Sequence, residues 1–553
     1  MPNNAEKAAD RVPDYSSFAA AFNLADITEL LAGDLEAGLN VCFECCDRHA
    51  DADRIALYWE GADGASSTHS FAELRDGAAR FASLLTAEGV RPGDQVACML
   101  PRIPELFITA LRVWRAGAVY VPLFTAFGPK AIEYRLQRSA ARLVVTDAAN
   151  RAKLDDIVDA PPAMVVTRQA DEAVRAGDID FRRAIAEQPA DFAPVMRGAV
   201  DPFILMFTSG TVGGAKGVAV PLKALPGFIV YMTYGLGLRS EDRYWNMADP
   251  GWAYGLFYAV VGPLLLGYAS HFHEGGFSIE SSYAMLEKYR ITVVASAPTA
   301  YRLMMAAGGE FAAACRSSLR AACSAGEPLN PEVMRWIEEH LGCPIFDHYG
   351  QTETGMTVCN HHGLRHALRP GSMGVALPGF RMAILNDDFE EVGPGESGIL
   401  AVDTARSPLY TFQGYRDHVE PHLHGPYYLT GDTAELGPGG SLTFLGRADD
   451  IILSAGYRIG PFDVESCLIE HPAVAESAVI GKPDAERGEI VVAFVVLRSG
   501  HTGSPELTGE LQQHTRSRLS AHAYPREVTF VEALPKTPSG KIQRFLLRQQ
   551  GAA

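Results

Sequence analysis

No stretch of this chain stays apolar long enough to cross a bilayer. The longest, Ala259 to Ala269, is interrupted by Gly262, Pro263 and Gly267, and a spanning helix needs about 20 apolar residues. The opening MPNNAEKAADRVPDYSSF lacks an apolar signal core, and its Glu6 and Asp10 do not suit a transit peptide. A reduced, cytoplasmic location is therefore expected. Cysteine is sparse, nine in 553 residues, and forms no disulfide-like framework. Cys42, Cys45 and Cys46 cluster, but a second ligand pair at metal-finger spacing is missing. LNVCFECCDRH reads better as an amphipathic helix with its cysteines facing inward. His361 and His362 are adjacent and would point in different directions, which suits surface or loop residues rather than a metal pair. Positive charge is also short. The net charge of -18 argues against nucleic acid or an anionic membrane as partner, because both need a basic face. Small anions remain open, since a few lysines, arginines and loop N–H groups can hold a phosphate.

What is present is core. At 47% hydrophobic residues over 553 positions, the chain exceeds the size at which one core keeps growing, so two or more domains are expected. From about Ser70 to Val145 amphipathic helices such as FAELRDGAARFASLLTAEGV alternate with short apolar strands such as QVACML and VYVPL. This is the α/β pattern of a mostly parallel sheet covered by helices, and it recurs at ITVVASAP and CPIFDHYG. No fixed-period repeat is present. After about residue 375, short strands separated by Pro/Gly turns predict a small antiparallel, barrel-like β unit. From Asp449 a last segment of roughly a hundred residues reads as a separate α+β domain. The division expected is 1–448 and 449–553.

Four stretches carry chemistry. Phe207–Gly217, FTSGTVGGAKG, follows a buried apolar strand; its glycines, hydroxyls and Lys216 suit a phosphate cradle. It is not a Walker A loop, because Gly217 follows the lysine. Alone, such a turn is as readily a flexible loop. Asp347–Gly355, DHYGQTETG, packs an aromatic face, amide and hydroxyl donors and a carboxylate into one strand-end turn, fit for adenine, phosphate and Mg²⁺. The third is YLTGD with Asp432, followed by GRADD with Arg447 and SAGYR with Arg458, which offers groups for ribose and phosphate. The fourth, PKTPSGK, presents Lys541 on a Pro/Gly-punctuated loop. Separately each also reads as ordinary turn or surface residues.

In this order, from about residue 40 to Lys541, the four stretches resemble the signature motifs of the adenylate-forming superfamily, which includes acyl-CoA synthetases, peptide-synthetase adenylation domains and luciferases. The resemblance implies an AMP-forming acyl-CoA synthetase that joins a carboxylic acid to ATP and passes the acyl group to coenzyme A. It implies that Thr208, Ser209, Gly210, Thr211, Gly213, Gly214 and Lys216 hold the β,γ-phosphates, and that Thr211 and Glu353 place Mg²⁺. Gly326, Glu327 and Pro328 with Asp347, His348 and Tyr349 would hold adenine. Gln351 and Thr352 would add polar contacts, and Asp432 with Arg447 would take the ribose. Arg458 would contact phosphate, and Lys541 would bridge carboxylate and α-phosphate. Asp449 matches a hinge about which the C-terminal domain rotates, bringing Ala455, Gly456 and Tyr457 to the pantetheine channel. Arg487, Tyr524 and Arg526 match coenzyme A contacts. Val212 and Ala215 depart from the family loop, which carries threonine and proline there, and altered loop mobility is the expected result.

The stretch DPGWAYG resembles the substrate wall of the acetyl- and medium-chain acyl-CoA synthetase branch. Acetyl-specific members carry tryptophan at the place of Gly350 and valines at those of Ala253 and Ala325. Trp252 and Tyr254 stand in the same wall, and Tyr254 could refill part of the space, but the smaller groups predict a medium-chain, short branched or aromatic acid. Alternatives are propionate or acetate in a refilled pocket, and loading of a free-standing carrier protein. Lys541 also resembles sites silenced by a lysine acyltransferase.

Overall fold

A computed structural model describes residues 12–50, 53–167, 172–208, 215–315, 318–416, 422–455, 457–484, 486–519, 522–536 and 541–551. The expectations for Glu6, Asp10, Ser209, Gly210, Thr211, Val212, Gly213, Gly214 and Gly456 fall outside those residues.

The α/β pattern folds as two sheets. A seven-stranded sheet runs Ile179–Asp180, Ala163–Val166, Leu143–Asp147, Gln95–Met99, Val119–Pro122, Pro202–Phe207, Gly217–Pro221, parallel except for its last, antiparallel pair. The central strands are apolar at nearly every position because helices cover both faces. Helix Phe71–Ala87 begins at a capping box in which Ser70 and Glu73 each bond the other's backbone N–H. It buries Phe71, Leu74, Ala78, Phe81 and Leu85 and ends before Gly89, whose φ of 80° closes the turn. Gly77 lies midway, where a Cβ would meet Arg112 Nη2 at 2.7 Å; the glycine gives the Arg112 guanidinium passage to the rings of Phe81 and Phe181.

A nine-stranded sheet, parallel at its centre, places Ala321–Ala325, Ile345–Gln351 and Gly355–Cys359 side by side. The residues after 375 form the antiparallel unit expected: Met382–Leu385, Ser397–Asp403, Tyr427–Leu436 and Leu442–Arg447 in succession, with Leu423–His424 on the edge. Beyond Asp449 comes a sheet with its own core, Ile452–Ser454, Tyr457–Ile459, Val474–Asp484, Gly488–Leu497 and Glu527–Phe530, joined by helices Pro461–Ile469, Pro505–Arg518 and Arg544–Gly551. This unit rests on the rest of the chain at named points. Asn330 Nδ2 donates to Ser466 Oγ at 3.0 Å, and Gly460 lies so close to the Leu445 carbonyl that a Cβ there would stand 2.5 Å from it.

The cysteines of helix Val41–Cys45 and of Cys46 are buried, as the amphipathic reading requires. The paired histidines meet the loop half of their expectation. They lie in a loop, but His361 is buried and His362 half-buried rather than on the surface. The His361 ring stacks on Tyr15 at 5.4 Å, and that of His362 on Phe346 at 4.0 Å. Neither contact is visible locally, because each partner comes from a distant element.

Candidate active site

The phosphate-loop segment is bounded by a hairpin. Strands Pro202–Phe207 and Gly217–Pro221 pair with Phe207 opposite Gly217, and the Thr208 N–H donates to the Lys216 carbonyl at 2.9 Å. The sheet thus fixes both ends of the loop. Lys216 Nζ stands 4.8 Å from the centroid of the Tyr415 ring, and the Tyr415 hydroxyl donates to Glu353 Oε1 at 2.9 Å. Glu353 is at the turn between Ile345–Gln351 and Gly355–Cys359.

Beside that turn Asp432 is buried at the centre of a polar cluster. Its cross-strand partner is Arg447, whose Nη1 approaches Oδ1 at 3.1 Å. Oδ2 accepts from the Tyr349 hydroxyl and, at 2.8 Å, from Gln351 Nε2, which also donates to the Thr430 carbonyl at 2.9 Å. Tyr428 donates to Gln351 Oε1 at 3.3 Å. Burial pushes the Asp432 carboxyl up, and the Arg447 charge opposes that. Lys541 also lowers it, so a lysine from the far end of the chain is close enough for its charge to act here. Residues 537–540 of its loop are outside those described. At the loop base Lys536 bridges Ile542 and the Gln543 N–H donates to the Pro535 carbonyl at 2.9 Å.

Asp347 is buried; its Oδ2 accepts from the Leu329 N–H at 3.3 Å, and Oδ1 has no partner among the described residues. Burial pushes this carboxyl up to about 8. His348 Nε2 sits 3.1 Å from the Asn360 carbonyl and Nδ1 2.9 Å from the Tyr231 hydroxyl. A carbonyl only accepts, so Nε2 carries the hydrogen and Tyr231 donates to Nδ1. Both ring nitrogens are used within the fold, and His348 has only its backbone to offer a ligand. Gly326, at φ 98°, turns the chain after Ala325. Glu327, beside Pro328, is ion-paired with Arg302 at 2.7 Å.

Trp252 packs between Phe124 and Phe127. Ala253 starts the short helix after it, and Tyr254 Oη lies 3.4 Å from Tyr231 Oη. Ala325 is buried at its strand end. Gly350 lies on the strand that leads into the Glu353 turn. It occupies a bulge, where a Cβ would lie 2.3 Å from the Gly355 carbonyl and 2.7 Å from Met356 Cα. The returning strand passes so close that a side chain there would require the backbone to shift. A narrow open hollow lies against Thr352 and Glu353, with Phe228, Phe257, Tyr258, Met356, Phe380 and Phe412 among its walls.

On the C-terminal unit Ala455, at φ 50°, begins the turn between two short strands, and its N–H donates to the Arg487 carbonyl at 2.7 Å. Arg487 Nε donates to Ser454 Oγ at 3.5 Å. The Arg458 backbone pairs with Leu453; its side chain is outside the description. Tyr457, half exposed, stacks on His522 at 3.8 Å. Arg526 lies 4.4 Å over Tyr524, with Arg516 at 5.6 Å. Asp449 accepts from Arg548 through its carbonyl, and its Oδ1 stands 3.5 Å from Arg447 Nε. The sequence reading missed Tyr415, and it gave no part to Tyr428 or Thr430 of YLTGD. The density of aromatics in LYTFQGYR, between two β segments, is the one local signal for the first.

Residues 44–416 match the family described as AMP-binding enzyme, and residues 463–541 match the AMP-binding enzyme C-terminal domain. The chain therefore belongs to the AMP-binding enzymes, and with the acyl-CoA synthetases among them, AMP-forming acid–thiol ligases. It is 38% identical over 520 residues to an acetyl-coenzyme A synthetase of Bacillus subtilis (strain 168), covering 92% of this chain and 90% of that one. It is 36% identical over 504 residues to a mitochondrial acyl-coenzyme A synthetase of Homo sapiens, covering 90% and 86%. Its fold matches an acyl-CoA synthetase of Brucella canis with TM-score 0.80 and 53% identity over 98% of this chain and 99% of that one. An anthranilate CoA ligase in complex with anthranoyl-AMP gives TM-score 0.85 at 26% identity, covering 96% and 99%.

Proposed function

We propose that the protein activates a medium-chain, short branched or aromatic carboxylic acid as its acyl-adenylate and then forms the coenzyme A thioester. What supports this is the buried Asp432–Arg447 pair, with the Lys541 charge near enough to act on the Asp432 carboxyl; a lysine in that region suits the meeting of a nucleotide's α-phosphate with a carboxylate. A carboxylate is a poor acyl donor because oxide would have to leave. Its attack on the α-phosphorus of ATP forms a C–O–P link and releases pyrophosphate, and AMP then becomes the leaving group. Charge builds on the phosphoryl oxygens, so the chain must supply cations and oriented donors. Lys541 pairs with both reacting anions, Lys216 with the β,γ-phosphates, and Asp432 with the ribose hydroxyls. Asp347 Oδ1 accepts from the adenine amino group, and Arg458 contacts phosphate.

Glu353 offers a carboxylate oxygen at an accessible turn, the hard donor that Mg²⁺ prefers, and Thr211 would add a hydroxyl. When bound, the metal neutralises phosphate charge. The small side chains of Ala253 and Ala325, at places where acetyl-specific members carry valines, support an acid with several carbons or a ring over acetate, since each buried methylene contributes about 0.8 kcal/mol. Rotation about Asp449 would then withdraw Lys541 and present Ala455, Gly456 and Tyr457, with Arg487, Tyr524 and Arg526 meeting coenzyme A. Acylation of Lys541 by a lysine acyltransferase would remove its charge and stop the first step. No helix among the described residues is long and apolar enough to cross a membrane; with ATP and coenzyme A as substrates, we place the reaction in the cytoplasm.

The test is incubation with MgATP and a panel of acids from acetate to octanoate and benzoate, with and without coenzyme A, following pyrophosphate, AMP and thioester. Acid-dependent pyrophosphate release that never yields thioester would overturn the second half. A marked preference for acetate would overturn the acid class.

A further inference from the structure

Tyr415 touches the two oppositely charged groups that flank the phosphate site, and nothing in the motif reading gave it a part. Its ring face lies under the Lys216 ammonium at 4.8 Å, a distance at which the negative face of an aromatic ring attracts a cation. Its hydroxyl donates to Glu353 Oε1 at 2.9 Å, a charge-assisted bond. The residue is itself held from two sides. Its backbone bridges Val218, and the next N–H, of Arg416, donates to the Gly217 carbonyl at 2.8 Å. The Phe412 ring packs on it at 5.0 Å. Tyr415 is thereby tied to the strand that leaves the phosphate loop, while its hydroxyl reaches the turn that carries Glu353.

Lys216 and Glu353 have opposite charges and share this neighbour, yet no ion pair joins them. A direct pair would have to break before phosphate could claim the lysine and a metal the carboxylate. The tyrosine satisfies each charge through a weaker contact and keeps them separate. We propose that Tyr415 is a positioning residue that holds Lys216 and Glu353 apart and aimed for the phosphates and their metal. This rests on the reading of Glu353 as a metal carboxylate and Lys216 as a phosphate contact given above.

Two variants separate the contacts. Tyr415→Phe keeps the ring and loses only the hydroxyl; Tyr415→Leu loses both. Calorimetric titration with ATP, with and without Mg²⁺, reads binding independently of turnover. For Tyr415→Phe, the gain in ATP affinity on adding Mg²⁺ falls about tenfold, as expected for a lost hydrogen bond to a charged group. Its affinity without Mg²⁺ stays within about twofold of the wild type, because the cation–ring contact survives. For Tyr415→Leu, ATP affinity without Mg²⁺ falls as well, by about tenfold, as Lys216 collapses onto Glu353. Thioester formation from pre-made acyl-AMP and coenzyme A stays near wild type in both.

A Tyr415→Phe protein with the full Mg²⁺ gain overturns the inference, and so does a Tyr415→Leu protein that binds metal-free ATP as the wild type does. Tyr415→Phe changes one oxygen, so it decides the Glu353 contact even should Tyr415→Leu fail to fold. A wild-type protein whose ATP affinity ignores Mg²⁺ overturns the reading of Glu353 together with this inference. A responsive wild type and an equally responsive Tyr415→Phe protein overturn this inference alone.

Discussion

At the scale of single residues, the site is built from groups whose charges are already answered within the protein. Asp432 holds Arg447, Tyr349 and Gln351, and Glu327 holds Arg302. Arg447 reaches both Asp432 at 3.1 Å and Asp449 at 3.5 Å, so one guanidinium joins the proposed ribose contact to the proposed hinge. Lys541 differs in belonging to the C-terminal unit, ahead of helix Arg544–Gly551, and the proposed rotation about Asp449 would change its partners. Lys541→Ala should lower acid-dependent pyrophosphate release by about 10³-fold or more, the scale of losing a charge aimed at the transition state. Thioester formation from pre-made acyl-AMP should persist within a few-fold. Parallel rate measurements of the two half-reactions decide it, and equal loss of both would contradict the division of labour.

At the scale of elements, two β-hairpins do the positioning, and they differ in how much of them could be read in advance. Of the hairpin around the phosphate loop, the first strand was legible because PFILMF is an apolar run ahead of a Gly-rich turn, whereas the antiparallel return Gly217–Pro221 was not. The hairpin of Ile345–Gln351 with Gly355–Cys359 was legible as a strand and turn. The bulge that forces glycine at position 350 depends on pairing with the returning strand, which a local pattern does not show. The same limit hid the use of both His348 nitrogens, the burial of His361 and the reach of Tyr415, each set by a partner far away in sequence. Helix Phe71–Ala87, by contrast, was written out in its own spacing and caps. Since a Cβ on Gly350 would stand 2.3 Å from the Gly355 carbonyl, Gly350→Ala should destabilise the protein by about 1–3 kcal/mol, the range for overpacking. It should also raise the KM for ATP, because Gln351 and Glu353 ride on the displaced turn. Thermal melting and ATP-dependent kinetics on one preparation check both; an unchanged melt would place the steric limit elsewhere.

At the scale of the whole molecule, buried titratable groups set how stability follows pH. Burial pushes His348, His361 and His362 down to about 3, and His49 and His271 to about 4, from an ordinary 6.5. Unfolded histidines take up protons near 6.5 while these folded ones refuse them, so their stabilisation is complete above 6.5 and is lost as pH falls towards 3. Asp347 and Asp463 act in the opposite sense, held up to about 8 and about 6 from an ordinary 3.8. They keep protons that the unfolded chain releases, so their contribution is complete below 3.8 and is lost as pH rises through 6 and 8. The histidines outnumber the carboxyls between about pH 4 and 6, and there stability climbs with pH. Above about pH 7.5 the unfolded histidines are nearly neutral and Asp347 dominates this set, and stability declines by at most about 1.4 kcal/mol per pH unit. Urea unfolding at fixed ionic strength should therefore show a maximum near pH 7, and Asp347→Asn should flatten the alkaline side. ATP should flatten it too, because an adenine N–H donating to Oδ1 favours the charged carboxylate. A wild-type midpoint that keeps rising to pH 8 would show that Asp347 ionises normally, and an alkaline decline untouched by ATP would remove Asp347 from the adenine site.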